Sequence, residues 1–113
     1  MITDKKRAFK RVPLKFKVRF EFCGEKGVPG GASISENISM GGVYFLSIKK
    51  MEIGQLIECR IQMPGSAGEG CWDARIVRCD LLEGQMVETF GVAAEFVKSH
   101  GDSERRLKKV LSR

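Results

Sequence analysis

Two arginines, Arg7 and Arg11, stand four residues apart near the head of the chain, and Asn37, Ser39 and Gly42 come later in the pattern Asn-x-Ser-x-x-Gly. An arginine stays charged, and its planar fork of donors matches guanine O6/N7 or a phosphate edge in a bidentate way. An asparagine amide can accept from and donate to a base edge, a serine hydroxyl suits a phosphate oxygen, and a glycine with positive φ lets backbone come close. The chemistry these types share is recognition of a ligand with flat bases and anionic oxygens. Each set also has an ordinary reading. Basic tails are usually solvated, and polar turn residues usually bond their own backbone.

Catalysis finds little support. Asp73, Asp80 and Glu83 have no histidine or nucleophile patterned around them, and Ser33, Ser35 and Ser39 lack a recognisable base. The chain therefore reads as a binding protein and not an enzyme. Cys23, Cys59, Cys71 and Cys79 form no Cys-x-x-Cys pair, and only His100 could join them as an imidazole ligand, which argues against a zinc site and for reduced thiols.

The formal charge of +6 and pI near 9.4 favour an anionic partner, whether nucleotide, RNA, DNA, membrane surface or acidic protein. Most of the excess lies at one end, where Lys5, Lys6, Arg7, Lys10, Arg11, Lys15, Lys17 and Arg19 are opposed by Asp4 alone. No apolar run has the length of a signal-peptide core or a membrane span, so a cytoplasmic location is expected.

These residues need a frame. Residues 1–11 have no hydrophobic period and read as a flexible cationic arm. From Val12 the alternation is two-fold, with Val12, Leu14, Phe16, Val18, Phe20 and Phe22 on one face, the pattern of a half-buried antiparallel strand. Gly24 to Gly31 reads as a loop, Ala32 to Ile38 as a weaker strand, and Val43 to Leu46 as another. The polar hexapeptide from Asn37 to Gly42 is expected between those two, as a turn with exposed backbone. Ile53 to Met63, Cys71 to Leu81 and Met86 to Val97 complete the set, with Gly91 inside the last allowing a bulge or a close approach. Leu107, Val110 and Leu111 fall at helical spacing, with Asp102 or Ser103 as cap, so a helix is expected to pack on the barrel or on another protomer. The frame is all-β, a barrel or sandwich over 12–99 with a terminal helix in 100–113.

The ordered pair of motifs resembles the PilZ domain family of bacterial cyclic di-GMP receptors. Arg11-Val12-Pro13-Leu14, Asn37-Ile38-Ser39-Met40-Gly41-Gly42-Val43 and Gly91-Val92-Ala93-Ala94-Glu95-Phe96 look like the stretches where that family is most alike. The resemblance implies a six-stranded antiparallel β-barrel with a carboxyl-terminal helix, and a ligand held between the arm and the barrel wall. It implies that Arg7 and Arg11 take guanine edges and phosphates, that Asn37 meets a guanine edge and Ser39 a phosphate or base atom, and that Gly42 leaves room for the rings. Lys6, where many relatives have another arginine, Gly41 and Trp72 are further candidates for ligand contact. Trp72 suits a core position first and guanine stacking second. Arg75 and Arg78 either extend the ligand site or face water, with water preferred, and His100 is read as a solvated residue near the helix start.

The implied function is a receptor that converts cyclic di-GMP occupancy into a changed surface for a protein partner, with no metal or other cofactor. One rival is a PilZ-like adaptor that works through protein contacts without nucleotide. A less favoured rival is a small basic β-barrel binding RNA or DNA, which lacks the exposed aromatics on one strand that stack successive bases.

Overall fold

The computed structural model describes residues 13, 15–24, 30–64 and 68–112, so Lys6, Arg7 and Arg11 and the arm they belong to lie outside the described residues. Six strands succeed one another: β1 (Lys17–Phe22), β2 (Gly31–Ser39), β3 (Gly42–Ser47), β4 (Leu56–Gln62), β5 (Glu69–Leu82) and β6 (Thr89–His100). One helix, α1 (Ser103–Leu111), completes the chain order. The strands pair antiparallel in the spatial order β1-β2-β3-β6-β5-β4, and β1 also pairs β4, so the sheet closes into the expected barrel. Among the described residues closure leaves no unpaired edge strand to template aggregation.

Alternation builds the interior. Val18 and Phe20 from β1, Ile57, Cys59 and Ile61 from β4, Trp72, Ala74 and Ile76 from β5, and Val92 and Ala94 from β6 point inward at every second position. Phe45 and Val43 of β3 meet them from the facing wall, and the Phe20 and Phe45 rings lie 5.5 Å apart. The first strand is shorter than its hydrophobic period, since Phe16 is buried but stands ahead of β1.

Three bulges interrupt the two-fold rhythm. Glu36 is the extra residue between the pairs Ser35↔Phe45 and Asn37↔Tyr44, Val77 the extra between Ile76↔Ala94 and Arg78↔Ala93, and Val97 the extra between Asp73↔Lys98 and Ala74↔Phe96. An added residue shifts the phase of the rest of its strand, so side chains beyond it change face.

The helix packs on the barrel, with Leu107 and Val110 buried in the same core. Ser103 secures its start: the hydroxyl accepts from Cys71 N–H at 2.8 Å and donates to the His100 carbonyl at 2.5 Å. Asp102 stands at the N-cap without a side-chain capping bond. Its carboxylate instead takes Arg106 Nε at 2.9 Å, and that hydrogen bond holds its pKa below the ordinary carboxylate value. His100 departs from its expected role. It ends β6, and its Nε2 lies 2.9 Å from Asp73 Oδ1, so the ring is engaged with the barrel wall and is not a loose turn residue.

Candidate functional site

The motif Asn37 to Gly42 is mostly strand and not turn. Asn37, Ile38 and Ser39 end β2, Gly42 begins β3, and only Met40 and Gly41 make the connection. Pairing Ser39↔Gly42 and Ile38↔Val43 closes so tight a hairpin that the expected polar turn has room for just these two residues.

The Glu36 bulge decides which way the motif faces. Ser35 is fully buried and points inward, where its hydroxyl accepts from Phe16 N–H at 2.8 Å. Strict alternation would send Asn37 inward as well. The inserted Glu36, which pairs with Lys15 at 3.0 Å, resets the phase, so Ile38 takes the core position and Asn37 is opposite Tyr44 on the outer face. Among the described residues no hydrogen bond occupies the Asn37 side chain. Its amide keeps donors and an acceptor for a ligand.

Ser39 is 8% exposed, and its hydroxyl oxygen accepts from Gly41 N–H at 3.1 Å. The turn-making role thus accounts for one of its bonds, and the hydroxyl hydrogen remains available as a donor. Gly41 is pinned from the other side, since its carbonyl accepts from Phe96 N–H of β6 at 2.9 Å. The hairpin tip is therefore tied to the strand beside it.

Gly42 is required for a reason other than the expected ones. It lies outside the left-handed region, and a Cβ there would stand 2.3 Å from the Ala94 carbonyl oxygen. The close approach of β6 backbone demands the glycine, whatever a ligand requires. Gly91 differs: a Cβ would fall 1.9 Å from the Tyr44 hydroxyl, but that is the far end of a side chain lying across β6 and not backbone. The bulges of this sheet are elsewhere.

Trp72 must be withdrawn from the candidates. It is 2% exposed and stacks within the core on Phe96, with centroids 4.7 Å apart and planes 15° from parallel. Its place in the strand alternation puts it inside, and no ligand on the outer wall reaches the indole.

Register carries the outer face beyond the motif. Asn37, Tyr44, Ala93 and Arg78 are successive cross-strand neighbours, and Ser39, Gly42, Glu95 and Arg75 form the adjacent row. Nothing in the sequence marks Tyr44 or Glu95 as belonging to the rows of Asn37 and Ser39, and the choice between site and solvent for Arg75 and Arg78 is not decided there, because the Glu36 and Val77 bulges leave no period. A concavity of about 470 Å³ lies over β1 and the strands beside it, lined by Lys17, Arg19, Ile34, Arg60 and Glu69. Its arginines are already paired, Arg19 with Glu69 at 2.6 Å and Arg60 with Glu58 at 3.0 Å. We therefore place the candidate site on the motif face. Among the described residues no group of three or more His, Cys, Asp or Glu could hold a metal ion, and no helix is long and apolar enough to cross a membrane.

Residues 5–113 match the model of the PilZ domain. The chain belongs to the PilZ family. Its fold is also that of solved PilZ structures. The PilZ domain of Escherichia coli YcgR with c-di-GMP superposes with a TM-score of 0.71 at 16% identity, over 95% of this chain and 90% of that one. The Bacillus subtilis inhibitor of motility MotI/DgrA gives a TM-score of 0.75 at 17% identity, over 96% of this chain and 50% of that one. The K. pneumonia MrkH complex with c-di-GMP gives 0.71 at 20% identity, over 94% of this chain and 51% of that one. This PilZ chain thus spans about half the length of MotI/DgrA and MrkH. No curated protein sequence matches it.

Proposed function

We propose that this PilZ protein is a receptor for cyclic di-GMP, which it binds on the wall of β2, β3 and β6 beneath its basic amino-terminal segment. The observation that carries the reading is the outward-facing Asn37 amide, uncommitted among the described residues, beside a Ser39 hydroxyl with a donor to spare, within a family match that also takes in Arg7 and Arg11. The presence of c-di-GMP with the YcgR and MrkH neighbours supports the choice of nucleotide. Arg7 and Arg11 supply charge-assisted bonds to guanine edges and phosphates, Asn37 reads a guanine edge, and Ser39 donates to a phosphate or base oxygen. Lys6 adds charge without a planar fork, and Gly41, whose N–H and carbonyl are already engaged, gives the ligand room at the rim. Trp72 has no part.

A dianion seated between the segment and the wall offsets the repulsion among the segment's cations, so occupancy replaces a basic surface with a neutralised one. That change is what a protein partner would sense. Calorimetric titration with cyclic di-GMP, using cyclic di-AMP as control, tests the proposal and gives the stoichiometry. Saturable heat with the guanine ligand is expected, and its absence with intact nucleotide and folded protein would refute the reading. Arg7→Ala or Arg11→Ala is expected to weaken binding by about 2 kcal/mol, the worth of a hydrogen bond to a charged group. Thermal unfolding of these variants should match the parent.

A further inference from the structure

We infer that the pole of the barrel away from the motif binds a second copy of this chain, through an apolar middle with lysines on one side and carboxylates on the other. Among the described residues nine large apolar side chains are exposed, and six of them, Ile48, Ile53, Val77, Leu81, Met86 and Val87, come from the two stretches 48–53 and 77–87. The fold brings those stretches together. Ser47, Phe90 and Leu81 are successive cross-strand partners, so Ile48 leaves β3 beside the outer end of the β5–β6 hairpin. The connection that follows runs along β5, where Met51 N–H donates to Cys79 Sγ at 3.4 Å and Gly54 N–H to the Ile76 carbonyl at 2.7 Å. Ile48 is 77% exposed and Met86, in the β5–β6 connection, wholly so, which leaves both outside the core. Apolar side chains gathered in one place on a surface mark a contact with another protein. The motif hairpin is tied to Phe96, six residues along β6 from Phe90 and about 20 Å of strand away, so a copy seated on this pole leaves the motif free.

Charge selects the occupant. Residues 79–97 carry Asp80, Glu83, Glu88 and Glu95 with no lysine or arginine, in a chain whose net charge is +6. Arg78 meets Asp80 at 2.6 Å, whereas Glu83 and Glu88 have no ion-pair partner among the described residues. Glu52 lies between the two bonds to β5 and so belongs to this acidic side. Lys49 and Lys50 supply the other side: they follow Ile48, and Lys49 Nζ stands 5.9 Å from the centre of the Phe22 ring at the end of β1. A half turn about an axis through the apolar middle lays the lysines of each copy against the carboxylates of the other. Such self-complementarity is what a two-fold interface requires. A uniformly basic or uniformly acidic partner would match only one half of the surface.

The test is sedimentation equilibrium of the full chain over a concentration series without nucleotide, so it stands apart from cyclic di-GMP binding. A reversible dimer is expected, falling to single chains on dilution. Leu81→Asp/Met86→Asp is expected to weaken association by about tenfold or more, since it places charge in the apolar middle. Lys49→Glu/Lys50→Glu and Glu83→Lys/Glu88→Lys should each weaken it by about tenfold, because like charges then face one another. Combining all four reversals restores opposite charges across the axis and should return the dimer to within about threefold of the parent, the signature of direct coupling. Thermal unfolding, expected to be parent-like for substitutions at exposed positions, checks folding. A parent that stays a single chain at every concentration overturns the inference, and so does a dimer indifferent to Leu81→Asp/Met86→Asp. Failure of the combined reversal to recover association overturns the two-fold pairing, as does growth beyond two copies.

Discussion

Gly42 has two claims upon it, and the structural one is measurable alone. A Cβ at 2.3 Å from the Ala94 oxygen cannot be accommodated by a side-chain rotation, because the obstacle is backbone. Gly42→Ala is therefore expected to destabilise the fold by about 1–3 kcal/mol, the usual cost of overpacking, as read by urea denaturation without any ligand. A loss of nucleotide binding in that variant would report a displaced strand and not a missing contact. Asn37 offers the cleaner functional substitution, since its side chain holds nothing else among the described residues. The roles of Asn37, Ser39 and Gly42 could be suggested from their types and spacing, but the choice between turn chemistry and ligand chemistry needed coordinates. Ser39 does serve its turn, through Gly41 N–H, and keeps a donor as well.

At the scale of elements, the start of α1 is fastened by one hydroxyl. Ser103 is 4% exposed and links Cys71 N–H of β5 to the His100 carbonyl of β6. Ser103→Ala leaves a buried N–H unsatisfied, so a loss of about 1–3 kcal/mol in denaturant-measured stability is expected, with Ser103→Thr as a partial rescue. No loss in the alanine variant would mean that water replaces the hydroxyl. Strands with unbroken alternation were legible in the sequence, as β1 and β4 illustrate. The weaker pattern of β2 has a physical cause, since Glu36 adds a residue and breaks the period where the motif begins. The same cause kept the sequence from deciding whether Arg75 and Arg78 extend the site or face water, because facing depends on the Val77 bulge and on the β3–β6 crossover pairing. His100 departs from expectation because the chain turns into the helix only at Gly101 and Asp102, after β6 has ended.

For the whole molecule, the cysteines grade accessibility from outside to inside. Cys23 is exposed, Cys71 and Cys79 are half-buried, and Cys59 is enclosed, with burial pushing its thiol up to about 12. Cys23 is also raised, by burial first and then by Asp73 and Glu58, so it reacts as a sluggish thiol despite its position. Alkylation needs the thiolate. At about pH 8, iodoacetamide is expected to label Cys23 of the native protein slowly and faster as pH rises, while Cys59 is labelled only on unfolding. Peptide mapping by mass spectrometry reads the order, and native labelling of Cys59 would mean that the barrel opens far more readily than its closed pairing implies. The class of fold was plain from composition and period, since strand signals recur with no helix between them. Strand order was not, because closure through β1 and β4 is a long-range choice that local periodicity does not encode.

The single inserted glutamate in β2 also separates spelling from orientation. A related chain could keep every letter of Asn-x-Ser-x-x-Gly and yet, lacking that one extra residue, aim the amide at the oily interior and present nothing to a nucleotide. Assigning ligand competence among such chains is therefore a matter of counting residues to the nearest irregularity as much as matching a motif.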